Sequence, residues 1–274
     1  MEEKDFFVLL DKIYLERGFD ARRYRLDFVR RRIDARLRAR RVASYREYAR
    51  LLDVDAGEYR NLLVSLTVRL SRFFRDGETF RALRDLALAP LIRARREEGN
   101  LRLRAWSAGC AGGEETYSLA ILIHELLRSE VERWTVQILG TDLDEEALAQ
   151  AEEGVYGERS LREIDKIRLE RYFESVQSPG RAYRVRPEIK ALAEFRRHDL
   201  ASDPFPTSLD LILCRNVLYY LVREEQERIL RSFHEVLNEG GFLVIGQTEM
   251  LIPPISRLFT LLEGTDCIFR TIGR

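Results

Sequence analysis

A chain of 274 residues with 45% hydrophobic content and only seven prolines has room for one or two domains with sizeable cores, which excludes a disordered or fibrous protein. Its 46 basic and 46 acidic residues cancel, but residues 1–75 hold 19 Lys/Arg against 12 Asp/Glu, so a basic first part precedes an acidic remainder. Three cysteines without C-x-x-C spacing argue against a disulfide framework or zinc knuckle, and the lack of a long apolar run or signal pattern makes a cytoplasmic location the expectation.

From Asp5 to about Leu88 the periodicity is helical. Phe6, Leu9, Leu10 and Ile13 make one apolar stripe, and Leu26, Val29, Ile33 and Leu37 make another. The second helix carries Arg22, Arg25, Arg32, Arg36 and Arg40 on its other faces, and residues 21–50 hold twelve arginines against three acids. Such a surface is either a solvated polar face or an electrostatic patch for an acidic partner. A break falls at Asp53–Gly57, a further helix runs from Glu58 to about Leu70, and SRFFRDGETF begins a new segment. Residues 1–88 are read as a basic all-α N-terminal domain with a linker helix.

From Leu101 strands and helices alternate, which implies a parallel sheet with right-handed crossovers. LRLRAWSA, TVQILGTD, a strand reached through RPEIKALAEFRRHDL, LDLILC and FLVIGQTEM are the expected core strands; REEQERILRSFHEVLNEGG reads as a helix closed by its glycines, and FTLLEGTDCIFRTI as a final hairpin. Residues 89–274 are therefore expected to form a Rossmann-like α/β domain. SPGRAYRV suggests a small antiparallel β insertion at about 174–195.

The chemistry concentrates in LRLRAWSAGCAGGEETYS, a strand, a glycine-rich turn and a helix start, the unit that opens a nucleotide site in doubly wound folds. Here Glu114 and Glu115 follow the glycines, where they suit the positive end of a helix dipole but would repel a pyrophosphate. An adenosine ligand that carries cationic groups fits better, and S-adenosylmethionine is such a ligand. The later strands also end on polar groups: Asp142, placed for ribose hydroxyls; His198–Asp199, placed for an adenine amino group; and Arg215–Asn216. His124, His198 and His234 are scattered, so structural histidines are expected and no metal site.

LTVRLSRFFRDGETF, RAWSAGCAGGEETYSLA, ILGTDLDEEALAQAEEGVYG, LDLILCRNVLYYL and GGFLVIGQTEML, in that order from about residue 60 to 272, resemble the successive motifs of the chemotaxis receptor methyltransferases. The resemblance implies a class I S-adenosylmethionine-dependent fold and methyl ester formation on glutamates of bacterial chemoreceptors, with S-adenosylhomocysteine as product. It implies that Arg75 of S-x-F-F-R contacts the cofactor and takes part in catalysis, with the Ser71 hydroxyl four residues earlier. Gly109 and Glu114 match the glycine loop and its first acid, Asp142 the ribose acid, Asp199–Leu200 the adenine-side pair, Arg215–Asn216 the C-R-N-V contact, and Tyr220 the tyrosine near the reacting groups. Three departures stand out: Arg69 replaces an asparagine of T-x-N-x-T, G-E-E-T replaces G-E-E-P, and Asp199 replaces asparagine.

The resemblance also implies a partner, the cytoplasmic helical region of membrane chemoreceptors, which the arginine-rich helix around 22–41 would engage. A monomer is expected and nucleic acid is not. Two alternatives stay open from the residues alone. One is a methyltransferase acting on RNA, with the basic helix gripping phosphates; the other is a non-catalytic module that binds the cofactor.

Overall fold

The computed structural model describes residues 2–67, 70–177 and 180–273, so Arg69 and the Ser178–Pro179 turn of SPGRAYRV lie outside the described residues. The chain divides into two compact units, Met1–Val68 with Tyr219–Gln226, and Arg69–Leu218 with Glu227–Arg274.

The first unit is built from helices at Glu2–Arg17, Leu26–Arg40, Tyr45–Val54 and Ala56–Leu66. Side chains start and stop them. Ser44 Oγ accepts from Glu47 N at 3.2 Å and Asp55 Oδ1 accepts from Glu58 N at 2.8 Å, each satisfying a donor that has no partner inside its helix. Arg41 closes the second helix in the left-handed region at φ 55°. The expected stripe of Phe6, Leu9, Leu10 and Ile13 is fully buried. In the second stripe Leu26 is exposed and Phe28 takes its place beside Val29, Ile33 and Leu37.

This core holds one buried acid. Glu58, 2% exposed, accepts from Arg36 Nε at 2.9 Å and from Tyr48 Oη at 2.6 Å, with Arg36 Nη2 on its second oxygen. Burial pulls the Glu58 carboxyl up, but the hydrogen bonds from Arg36 and Tyr48 outweigh it and leave the pKa lowered. Arg40 pairs with Asp55 at 2.8 Å, and Arg30 and Arg32 lie over the rings of Phe6 and Phe28. Much of the arginine content of the second helix is thus spent inside its own unit. Arg38 and Arg41 are exposed.

The residues Tyr219–Gln226 complete this unit from far along the chain. Arg25 N donates to the Tyr220 carbonyl at 2.8 Å, Val222 N donates to the Arg23 carbonyl at 2.9 Å, and the Tyr220 ring packs on Phe28 at 4.6 Å.

The second unit opens with a helix from Gly77 to Glu97, π-helical over Leu83–Leu88. The unit boundary falls at Val68/Arg69, ahead of the division expected after residue 88. Helical periodicity shows that a face is apolar but not which core receives it. Phe80, Leu83, Ala87, Leu88 and Ile92 are buried, and Thr79 meets Cys267 and Gln247 of the same unit.

Among the described residues ten strands follow: β1 (Arg102–Ala108), β2 (Thr135–Asp142), β3 (Val155–Gly157), β4 (Phe173–Val176), β5 (Ala182–Val185), β6 (Ala193–Arg197), β7 (Leu209–Cys214), β8 (Leu237–Ile245), β9 (Phe259–Leu261) and β10 (Ile268–Thr271). Seven form a sheet in the order β6-β2-β1-β7-β8-β10-β9, parallel from β6 to β8 and antiparallel through β10 and β9. This is the Rossmann-like sheet expected from the alternation, with the order reversing between β1 and β7, where such folds bind ligands. Trp106 on β1 anchors the core, its Nε1 donating to Thr141 Oγ1 at 2.9 Å and its ring meeting His198, Phe205 and Phe233 edge-on.

The separate antiparallel sheet β3-β5-β4 starts at Val155, earlier than the insertion expected at 174–195, and ends at Val185, since Ala193–Arg197 pairs with β2 in the main sheet. The helix Arg223–Val236 is not closed by Gly240–Gly241 as expected. Those glycines lie within β8, where the pairing with β7 shifts register; Gly240 has φ +69°, and a Cβ on Gly241 would meet the Asn238 carbonyl at 2.9 Å.

The Glu58 cluster makes a measurable demand on the helical unit. Because its folded-state pKa is lowered, Glu58 contributes stability above its unfolded pKa, and that contribution is lost as pH falls through the folded-state value. Glu58→Gln should lower stability by about 2 kcal/mol in a urea titration at neutral pH. It should also flatten the acid limb of the Tm–pH curve, an effect absent if the cluster contributes nothing.

Candidate functional site

The carboxyl ends of β1, β2 and β7 converge on the glycine loop. Gly109 and Gly113 have φ +79° and +85°, and added Cβ atoms would meet Val217 at 2.5 Å and Ala151 at 2.6 Å. Only glycine meets both demands at those two positions. The loop hangs from β2: Gly109 N and Cys110 N both donate to the Thr141 carbonyl at 2.8 Å, and Ala111 N donates to Asp142 Oδ2 at 2.8 Å. The other Asp142 oxygen accepts from Asp144 N at 3.0 Å. Burial raises the Asp142 pKa against these hydrogen bonds.

The helix Glu114–Leu127 then begins with two acids in different settings, Glu114 buried and Glu115 partly so. Glu114 Oε1 accepts from Ser160 Oγ at 3.0 Å, while its buried Oε2 lacks a hydrogen-bond partner. Burial pushes this carboxyl up, opposed by its own backbone N–H, Ser160 and Ser71. Glu115 is saturated instead: Oε1 accepts from Ser107 Oγ at 2.8 Å and Oε2 from Arg215 Nη1 at 3.3 Å. Burial raises its pKa too, against the Arg215 charge and the Ser107 hydrogen bond.

Arg215, one residue past β7, has a side chain only 2% exposed. Besides Glu115 it reaches Asp76 Oδ2 at 2.7 Å and the Arg75 carbonyl at 3.0 Å through Nη2, and its Nε is buried without a hydrogen-bond partner. Arg75 itself donates from Nη1 to the Leu70 carbonyl at 3.1 Å. Asn216 sits in the left-handed region at φ 61°, its N–H held by Glu249 Oε2 at 2.9 Å, and that same oxygen accepts from Gly246 N at 2.7 Å.

The structure therefore brings Ser71, Arg75, Gly109, Glu114, Asp142, Arg215 and Asn216 to the ends of β1, β2 and β7. Asp199 and Leu200 lie just past β6 but are otherwise engaged. The Asp199 carboxylate accepts from Ala201 N at 2.8 Å and Ser202 Oγ at 3.1 Å, and the Leu200 carbonyl accepts from Arg228 at 2.7 Å. Tyr220 belongs to the helical unit, where its hydroxyl meets that of Tyr219.

Sequence reasoning passed over Asp76, Ser107, Ser160 and Glu249, and it noted Glu115 beside Glu114 without separating their roles. The paired acids of G-E-E-T were a signal for Glu115, but nothing in their spacing separates an acid with a free oxygen from one spent on an arginine a hundred residues away. Among the described residues no group of three or more His, Cys, Asp or Glu is placed to hold a metal, and the three cysteines are buried and free.

Two family models match the chain: "CheR methyltransferase, all-alpha domain" over residues 4–67, and "CheR methyltransferase, SAM binding domain" over residues 69–268. The chemotaxis protein methyltransferase of Escherichia coli K12 is 32% identical over 266 residues, covering 95% of this chain and 89% of that protein. A protein of the same name in Listeria monocytogenes is 32% identical over 252 residues, covering 92% of each. A 104.1 kDa uncharacterised protein of Rhodobacter capsulatus is 37% identical over 91% of this chain, which spans only 26% of its length.

The cofactor is S-adenosylmethionine, and the residues present fit it. The unpartnered buried oxygen of Glu114 suits an ammonium, Asp142 offers a carboxylate at a strand end, and two glycines keep side chains out of the loop. From residue 4 to residue 268 both matched models lie on this chain in order, and the protein belongs to the CheR methyltransferase family.

Proposed function

We propose that this methyltransferase forms methyl esters on glutamate side chains of bacterial chemoreceptors, acting in the cytoplasm. The observation that carries the reading is the unpartnered buried oxygen of Glu114 at the glycine loop, in the same unit as the Arg75 segment that Arg215 holds at the end of β7, in a family whose named relatives include chemotaxis methyltransferases. Glu114 is the proposed partner of the cofactor's ammonium, Asp142 of its ribose, and Asp199–Leu200 of its adenine. Gly109 gives close backbone approach, and Ser71, Arg215 and Asn216 shape the wall of the site.

When bound, S-adenosylmethionine supplies an electrophilic methyl carbon on a sulfonium sulfur. A glutamate side chain is already ionised at neutral pH, so the protein need not supply a strong base. Its task is to hold the acceptor carboxylate in line and to exclude water. Arg75 is the proposed orienting cation for that carboxylate or the cofactor. For Tyr220 the support is its place in N-V-x-x-Y alone. Exposed arginines such as Arg38 and Arg41, on or just past the helix Leu26–Arg40, are the proposed contacts to an acidic receptor helix.

Two experiments test this reading. Incubation with methyl-labelled S-adenosylmethionine and receptor-rich membranes should put base-labile label on the receptor; alkali-stable label, or label on RNA, would refute the ester. Under the same conditions Arg75→Ala should lose about 100-fold in kcat while still binding cofactor, and a normal rate in a folded variant would remove Arg75 from the chemistry.

Glu114 separates binding from stability. Since burial raises its folded-state pKa, the stabilising form is the protonated one, present below the unfolded pKa and lost as pH rises through the folded value. At neutral pH the charge is therefore a cost, and Glu114→Gln should raise the Tm of the free protein by ~2 °C. The same change should weaken S-adenosylmethionine about 10-fold or more by calorimetry; unaltered affinity would exclude an ammonium contact.

A further inference from the structure

The segment that presents Arg75 is strained. Phe74 and Asp76, on either side of it, have φ 51° and 59°, a region unfavourable for residues with a Cβ. Before Arg75 the chain is pinned by its backbone and rings. Phe73 N donates to the Ser160 carbonyl at 3.0 Å, Phe74 N to Ser118 Oγ at 2.9 Å, and the Phe74 ring lies under the Arg168 guanidinium at 4.3 Å. After Arg75 the pin is Arg215, which holds the Arg75 carbonyl and the Asp76 carboxylate with one terminal nitrogen.

Arg215 is in turn aimed by Glu115, the residue on its other terminal nitrogen. Glu115 stands on rigid ground: it lies in the first turn of a fourteen-residue helix and is fixed by Ser107 on the central strand β1. Both its oxygens are occupied by protein groups, and its side chain is only 12% exposed, so it is not free to contact a cofactor as Glu114 is. A guanidinium with a side-chain exposure of 2% needs compensating charge, and Glu115 and Asp76 supply it from opposite sides.

We infer that Glu115 is a positioning residue for methyl transfer: by aiming Arg215 it locks the turn around Arg75 and so fixes where the Arg75 guanidinium points. The role rests on the reading of Arg75 given above. It explains why two adjacent acids follow the glycines, one facing a ligand and the other facing the protein.

Glu115→Gln tests it, because the amide keeps the shape and can still bond Ser107 but removes the charge that holds Arg215. Amide hydrogen exchange in the free protein should quicken about 10-fold at Arg75–Gly77 while the amides of β1 and β7 stay unchanged. With labelled S-adenosylmethionine and receptor-rich membranes, kcat should fall about 10-fold or more with little change in KM. In an Arg75→Ala background Glu115→Gln should cost nothing further, because its effect is exerted through Arg75. Unchanged exchange at the turn would overturn the clamp. A rate loss that adds in full to that of Arg75→Ala would overturn the route through Arg75. A normal rate for Arg75→Ala alone would refute the proposed part of Arg75, and with it the positioning role, whatever exchange shows about the clamp. If Glu115→Gln does not fold, Ser107→Ala should shift exchange and kcat in the same directions by smaller factors, and no shift in either would count against the inference.

Discussion

One buried guanidinium, on Arg215, decides how the carboxyl end of the sheet can be built. A cation taken out of water must be met by anions and acceptors, and here they come from two separate stretches, Asp76 with the Arg75 carbonyl and Glu115, which meet at the β7 terminus that carries the arginine. The ion pairs therefore tie the segment after the first unit to the glycine-loop helix and to the central sheet. Hydrophobic packing around Trp106 sets the strands side by side, but it is non-directional and does not say where a loop should point. The charge network does.

Around that network the loop stores unfavourable features together. Glu114 and Asp142 are carboxylates whose ionisation burial opposes, Gly109 and Gly113 adopt positive φ, and Phe74, Asp76 and Asn216 share the left-handed region without being glycine. The buried carboxylates and the three non-glycine residues are local costs, and their concentration at one end of one sheet, beside two positions that only glycine can fill, is the pattern expected of a binding region rather than a merely packed one. The opposite case lies in the helical unit. There Glu58 is just as buried, but two hydrogen-bond donors lower its pKa, and the acid serves stability.

Much of this was legible from residues alone. The alternation after Leu101 dictated a parallel sheet, and the glycines followed by acids pointed to a cationic adenosine ligand. The errors have common physical causes. Leu26 and Phe28 both suit a helical stripe, and only tertiary packing chose Phe28. Gly240–Gly241 carry the signature of a helix end, yet helix and strand meet at Val236–Leu237 and the glycines relieve a shift of register. The helix Gly77–Glu97 looked like a linker because periodicity cannot name the core that a face joins. Asp76 was passed over, and the separate role of Glu115 was not seen, for a similar reason: their shared partner lies a hundred residues or more away, and long-range ion pairs leave no local pattern.

The eight residues Tyr219–Gln226 make the first unit discontinuous along the chain. The helices of the first 67 residues leave the ribosome long before Tyr220 is synthesised, and until then the Tyr220 ring on Phe28, the Tyr220 carbonyl on the Arg25 amide and the Val222 amide on the Arg23 carbonyl are not yet in place. The amino-terminal unit thus cannot finish folding in the usual order of translation, first made and first complete. It must wait for a stretch encoded after β7 that runs into the first turn of the helix Arg223–Val236. A gene fragment cut at the apparent border would yield helices but not the whole unit.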